Sequence, residues 1–302
     1  MALRFRIQLL APVLSLMLPS ADSQMDSSRL QQAIDQALNG RTGSIVLVDV
    51  ESNAVLASSH LDEAGKELVR PGSTLKPLVL QELLRTGKLD AKQRLLCKRP
   101  LRIESLRLDC SHTADVTQLD ADDAISYSCN SYVAEVALRM NADELVQTFK
   151  RAGLDSRTGL AKSEAVGRIQ SPSSEERLQL AALGERGIEV TPLELLEAFR
   201  KLALRRSAAN SAPDEAVFEG LEHAVAYGTA HAAYVEGMKV AGKTGTASSA
   251  ESARTHGLFV GYAPSDRPQI AIVVYLPQGR GFDAAALAQP VLAEFHHLKR
   301  KL

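Results

Sequence analysis

The sequence contains no tryptophan, and aromatics of all kinds make up only 4% of it. Platforms on which nucleic-acid bases could stack are therefore missing. A formal net charge of −1 supplies no basic field for phosphates. Nucleic acid is excluded as a partner on both grounds. Past the first residues, no apolar run approaches the roughly 20 residues needed to cross a bilayer. Cysteine is scarce as well: Cys97, Cys110 and Cys129 are the whole set. None of them falls in a Cys/His spacing of the zinc type, so neither a metal nor any other cofactor is expected. His296 and His297 are adjacent in EFHHLK with no matching cluster, and read as a solvated helix end. There is no internal repeat and no low-complexity linker.

What is present is an ordinary globular composition, 45% hydrophobic and 24% charged over 302 residues. That length suits one large domain, or two lobes sharing a cleft. The N-terminus carries Arg4 and Arg6. An apolar stretch from Ile7 to Leu18 follows, broken only by Gln8, Pro12 and Ser15, then small residues at Ser20, Ala21 and Ser23. This order predicts a secretory signal over residues 1–23. The expected location is therefore periplasmic or otherwise extracytoplasmic. If the signal stays uncleaved it would tether the protein to a membrane; the alternative is a buried N-terminal helix. In an oxidising compartment Cys97 and Cys110 could close a loop around KRPLRIESLRLD as a disulfide. Two free, partly buried thiols are the other reading, and the sequence leaves both open.

Residues 25–40 carry Leu30, Ile34 and Leu38 at helical spacing, with Gly40 as a stop. SIVLVDV (44–50) predicts a strand, and AVLASS (54–59) an antiparallel return through Glu51-Ser52-Asn53. From Ser73 to about Tyr227 apolar residues recur three to four apart, punctuated by Gly and Pro. Strand patterns come back at 238–247, 256–264 and 269–277, and a helix closes the chain. The fold class is therefore α+β. An antiparallel sheet made from N- and C-terminal strands is flanked by helices, and a mostly helical lobe (about 77–230) is inserted into one domain spanning 25–302.

Three short motifs carry chemistry. The first is Ser73-Thr74-Leu75-Lys76 in RPGSTLKP. Pro71-Gly72 predicts a turn, and Ser73 then opens a helix whose outward N–H groups favour developing negative charge. Residues three apart share a helix face, so Lys76 is expected beside the Ser73 hydroxyl. A serine needs such a base to become a nucleophile, and burial lowers a lysine's pKa enough to provide one. The second is Ser128-Cys129-Asn130 in AISYSCNSYV. There a hydroxyl able to relay a proton and an amide able to hold a carbonyl or a lysine are two apart, on a tight turn between helices. The third is Lys243-Thr244-Gly245-Thr246 in VAGKTGTA. On a strand, alternation puts Lys243 and Gly245 on one face and Thr244 and Thr246 on the other. Gly245 leaves room for a substrate backbone to approach the strand edge. Arg41-Thr42-Gly43, Arg85-Thr86-Gly87 and Arg157-Thr158-Gly159 look similar but sit at loops or helix ends. Gly237–Thr244 also matches the letters of a phosphate-binding loop. No apolar helical face follows it, so that reading fails on context.

The order S-x-x-K, S-x-N, K-T-G is the signature of penicillin-binding proteins and serine β-lactamases, with Cys129 replacing the more usual Asp. From about Thr42 onward the sequence resembles a penicillin-binding protein transpeptidase domain, including ALGERGIEVTPLELLEAF (182–199) and HGLFVGYAPSDRPQIAIVVYL (256–276). The resemblance implies Ser73 as nucleophile, Lys76 as its base, and Ser128 as a proton relay polarised by Lys243. It implies that Asn130 positions substrate and Lys76. Thr244 and Thr246 would then bind a substrate carboxylate, with Gly245 between them, and the N–H groups of Ser73 and Thr246 would form an oxyanion hole. The implied substrate is the D-Ala-D-Ala end of a peptidoglycan stem peptide, with β-lactams as inhibitors. D,D-transpeptidase and D,D-carboxypeptidase activity both fit. A serine β-lactamase is an alternative, though the usual Glu-x-x-Leu-Asn deacylation motif is absent. A non-catalytic sensor of β-lactams or wall fragments is another. The wall-building members' extra N-terminal modules have no counterpart in the sequence.

Overall fold

The computed structural model describes residues 21–208, 213–248 and 254–300. The expected export signal lies outside them up to residue 20. The first helix, α1 (Ala21–Leu38), already takes in the last residues of that expected segment. No helix of the described residues is long and apolar enough to cross a membrane.

Five strands form one antiparallel sheet: β1 (Ser44–Asp49), β2 (Val55–Ser59), β3 (Ala241–Ser248), β4 (Thr255–Ala263) and β5 (Ile270–Leu276). Their order is β2-β1-β5-β4-β3, so N- and C-terminal strands share the sheet as the sequence predicts. Val46 and Val48 point to one face, while Ile45 and Leu47 point to the other. Both faces are buried. This explains why IVLV and IAIVVYL read as continuous apolar runs rather than alternating ones. One face is covered by α1 and the C-terminal helix. The other receives the helical lobe.

The lobe comprises α2 (Leu61–Lys66), α3 (Lys76–Arg85), α4 (Ala121–Ser126), α5 (Asn130–Ala137), α6 (Ala142–Ala152), α7 (Glu175–Ala182), α8 (Pro192–Ser207) and α9 (Glu215–Ala226). The closing helix is α10 (Gly281–Lys299). Capping boxes start α4, α6 and α8, from Asp120, Asn141 and Thr191 respectively. The stretch between α3 and α4 is different in kind. It contains only two-residue strand pairs, Leu95–Leu96 with Gln118–Leu119 and Arg102–Ile103 with Leu106–Arg107.

Candidate active site

Three chain segments meet where β3 borders the lobe. The first is a 3-10 turn, Gly72–Leu75, which runs directly into α3 at Lys76. The sequence places the helix start at Ser73. The structure inserts this tighter turn first, so Ser73 sits half-buried just ahead of the α-helix proper. Two close backbone approaches fix the turn. Gly72 N–H donates to Gly184 O at 3.0 Å, and a Cβ at Gly184 would lie 2.2 Å from Gly72 O. Across the cleft, a Cβ at Gly245 would lie 2.6 Å from Pro71 O and 2.9 Å from Thr74 Cγ2. The glycine of the third motif thus makes room for the turn that carries Ser73, where the sequence reading gives that space to substrate. The Ser73 hydroxyl makes no hydrogen bond among the described residues.

Lys76 points inward and is fully buried. Its Nζ donates to Ser128 O at 2.7 Å, Ser128 Oγ at 3.2 Å and Asn130 Oδ1 at 2.5 Å. Burial lowers its pKa to about 8, opposed by the negative potential of Cys129, Cys110 and Glu185. Lys243 is fully buried too, and donates to Ser128 Oγ at 2.9 Å. Burial, and then the charge of Lys76, hold it well below the ordinary lysine range. One hydroxyl therefore stands between two ammonium groups whose charged forms are both disfavoured.

The second motif is the turn between α4 and α5. Ser128 adopts a positive φ of 56°, which turns its hydroxyl toward both lysines. Asn130 opens α5, and its Nδ2 donates to Leu108 O at 2.9 Å, leaving Oδ1 for Lys76. On β3, Lys243 and Gly245 face the lobe, while Thr244 and Thr246 face the start of α10. Thr246 is exposed, and its Oγ1 accepts from Gly281 N–H at 2.8 Å. Thr244 is buried and donates to Thr229 Oγ1 at 3.4 Å. The alternation expected of a strand holds, and so does the rejection of a phosphate-binding loop. The lysine of that letter match lies within β3, and no helix opens there.

Two neighbours of the site escape the sequence reading. Thr229 reaches Thr244 because Thr229 N–H is bonded to Ser126 O at 3.0 Å and Gly228 packs on the same carbonyl. Glu185 is half-buried in the Gly184–Gly187 turn, and burial raises its pKa against the opposing charges of Lys76 and Arg70. The flanking glycines were the available signal, since they mark a turn that must approach another backbone.

Of the two readings left open for the cysteines, the structure has the free thiols. Cys97, Cys110 and Cys129 are all free, with Cys97 and Cys110 Sγ atoms 3.6 Å apart, too far for a disulfide. They converge with His112, and the four ligand atoms all lie within 4.8 Å of one another. No zinc-type spacing in the sequence announces this convergence. The four side chains come from three separate turns. The Cys110 and Cys129 Sγ atoms share a hydrogen bond in which either can donate; this contact lowers the pKa of the Cys110 thiol and raises that of Cys129.

A half-buried serine leading a helix, with two buried lysines bridged by a second serine between sheet and lobe, defines a serine–lysine cleft. The chain belongs to the penicillin binding protein transpeptidase domain family, whose model matches residues 43–297. Among curated relatives it is 26% identical to the peptidoglycan D,D-transpeptidase MrdA of Acinetobacter baumannii, with 90% of this chain and 53% of the relative covered. It is 28% identical to the peptidoglycan D,D-transpeptidase FtsI of Escherichia coli K12, over 87% of this chain and 53% of that one. The chain thus spans about half the length of these relatives. The D,D-transpeptidase domain of a peptidoglycan glycosyltransferase from Eggerthella lenta superposes with a TM-score of 0.79 at 23% identity, over 91% of this chain and 82% of that one. The corresponding domain of penicillin-binding protein 3 from Burkholderia pseudomallei gives 0.78 at 18%, over 92% and 94%. At those identities the two structures establish the α+β fold.

Proposed function

We propose that the protein is a penicillin-binding serine acyl-transferase, a D,D-transpeptidase or D,D-carboxypeptidase acting on the D-Ala-D-Ala end of peptidoglycan stem peptides. The observation that carries this reading is Ser128 Oγ held by both Lys76 and Lys243. A hydroxyl that accepts two N–H bonds has its own proton left to donate. Three acceptors around Lys76 Nζ match the three protons of an ammonium. Loss of one proton frees a lone pair to act as base.

The steps follow from that arrangement. Lys76 removes the Ser73 proton as Ser73 Oγ bonds to the penultimate D-Ala carbonyl carbon. Negative charge develops on the carbonyl oxygen, where the N–H groups of Ser73 and Thr246 would receive it. The C–N bond then breaks, and the departing D-Ala amine takes a proton from Ser128, which Lys76 replenishes. Lys243 keeps the Ser128 proton acidic, and its charge, with Thr244 and Thr246, favours the terminal carboxylate. Asn130 holds the substrate amide and Lys76. The resulting ester passes to an amine, giving a cross-link, or to water, giving trimming. β-Lactams would enter by the same attack and stay bound. The names of the curated relatives support the transpeptidase branch. The N-terminal sequence supports action outside the cytoplasm.

The test is incubation of the purified chain with a synthetic stem peptide ending in D-Ala-D-Ala, with and without a D-amino acid acceptor. Release of D-Ala together with acceptor incorporation supports transpeptidation, and release alone supports carboxypeptidation. Absence of both D-Ala release and penicillin labelling would contradict the enzyme reading. Rapid penicillin hydrolysis without peptide turnover would replace it by a β-lactamase.

A further inference from the structure

We propose that Cys97, Cys110, Cys129 and His112 form a structural Zn²⁺ site that fastens the Ser128–Asn130 turn. The four donor atoms lie within 4.8 Å of one another. Cys97–Cys110 and Cys110–Cys129 Sγ separations are 3.6 Å, Cys97–Cys129 is 3.7 Å, and Cys97 Sγ lies 3.6 Å from His112 Nε2. With Zn–S of about 2.3 Å and Zn–N of about 2.0 Å, a tetrahedral site has S···S edges of about 3.8 Å and S···N edges of about 3.5 Å. Four of the six edges match, and the two from His112 to Cys110 and Cys129 lie within 4.8 Å, so one ion fits with at most a small turn of the imidazole. A disulfide would need one pair to approach to about 2.0 Å and would leave the third thiol buried against it. Three thiolates and an imidazole select Zn²⁺ over Mg²⁺ or Ca²⁺, which take oxygen donors. Four protein ligands also close the site, as structural rather than catalytic zinc requires.

The surroundings fit a metal centre. Asn130 N–H donates to Cys110 Sγ at 3.2 Å and Tyr132 N–H to Cys129 Sγ at 3.4 Å, as backbone amides do around metal-bound thiolates. His112 Nδ1 lies 3.1 Å from Thr113 O, which orients the ring with Nε2 toward the sulfurs. Arg99 approaches Cys97 Sγ at 3.4 Å and His112 at 2.5 Å (Nδ1) and 3.1 Å (Nε2). Three thiolates around a dication leave one negative charge, which Arg99 offsets. Metal binding at Nε2 leaves the ring proton on Nδ1, facing Thr113 O, so both Arg99 contacts to the ring nitrogens give way while its approach to Cys97 remains.

The position gives the site its purpose. Cys129 lies between Ser128 and Asn130, which both hold Lys76. Ser128 occupies a positive-φ conformation that a non-glycine residue does not favour. The segment supplying Cys97, Cys110 and His112 has almost no regular structure of its own. An ion bonded to both would replace the missing backbone pairing. That positioning role rests on the proposed acyl-transferase reading, whereas metal binding itself does not.

The experiment is metal analysis of the protein purified from zinc-supplemented cells, with penicillin-acylation kinetics on the same samples. We expect one Zn²⁺ per chain, no reaction of the native thiols with Ellman's reagent, and three titratable thiols after denaturation with chelator. His112→Ala and Cys97→Ser should each weaken zinc retention at least about tenfold, and slow acylation by about ten- to a hundredfold. Should those variants fold poorly, the wild type refolded with Co²⁺ alone should show the intense visible bands and thiolate charge-transfer absorption of a tetrahedral thiolate site. Reduced, folded wild type with no bound Zn²⁺ and no such Co²⁺ spectrum would overturn the site. So would zinc retained at full stoichiometry in Cys97→Ser, or protein isolated with a Cys97–Cys110 disulfide. Zinc bound but removable without change in acylation would overturn the positioning role alone. Zinc bound in a protein that penicillin never acylates would leave the site standing and the proposed function fallen.

Discussion

The two walls of the cleft are built in opposite ways. On the sheet side, Lys243 is held by a strand paired in register along its length, with Lys243 opposite Val260 and Gly245 opposite Leu258. On the lobe side, Ser128 and Asn130 hang from a turn between two short helices, braced by an irregular excursion from about 90 to 120. There the fastenings are single polar contacts, such as Lys98 N–H to Ser131 Oγ at 2.8 Å and Tyr132 Oη to Gln93 O at 3.2 Å. Periodic backbone pairing positions one lysine at no side-chain cost. The other wall depends on individual side chains, so substitutions there should be felt more strongly in the chemistry.

The sharpest way to break that comparison is to remove each lysine in turn. Lys76→Ala should slow penicillin acylation by about 10²- to 10⁴-fold, the range of a general base, as followed by stopped-time fluorescent gels. Lys243→Ala, which loses one bond to Ser128 rather than three to the opposite wall, should slow it less. Equal losses would erase the distinction between the walls. Next in size is Gly184→Ala. Its new Cβ would meet Gly72 O at 2.2 Å on a residue at φ 73°, and should cost about 3 kcal/mol or more in urea unfolding. Gly245→Ala, with 2.6 Å to Pro71 O, should instead displace the Ser73 turn from β3. Acylation should then fall with less loss of stability.

Proton occupancy gives a gentler test. With Lys76 at about 8, the acylation rate should rise with pH up to about 8 and level off above it. The linked stability has a definite sign. Lys76 is easier to deprotonate folded than unfolded, so the unfolded chain binds more protons between about pH 8 and the ordinary lysine range, and stability rises with pH across that window. Lys76→Met should lack this gain, as the difference between two melting curves would show. The smallest effect is expected from Glu185→Gln. The carboxylate raises the Lys76 pKa, so its loss should move the acylation profile toward lower pH. A shift toward higher pH would mean that Glu185 does not act on Lys76 through its charge.

The same contrast decides what could be read from the sequence. The sheet was legible because IVLV and IAIVVYL are runs that only buried strands satisfy, and their bounds moved by a residue or two at most. β3 started later, at Ala241, because Val235 and Met238 form their own isolated bridge. The three motifs were legible as letters, and the structure brings them together. The fold of the excursion was not legible, because its two-residue strands carry no period. The meeting of Cys97, Cys110, His112 and Cys129 was hidden for the same reason: they share no spacing rule, and only tertiary folding collects them. Glu185 and Thr229 reach the site through glycine-mediated backbone contacts, whose partners no local pattern names.

The proposed function stands or falls on acylation of Ser73. The most direct test is reaction of the purified chain and its Ser73→Ala variant with a fluorescent penicillin, followed by peptide mapping. A stable covalent label is expected on the parent, mapped to the peptide containing RPGSTLKP, and none on the folded variant. An unlabelled folded parent, or a label that survives Ser73→Ala, would contradict it.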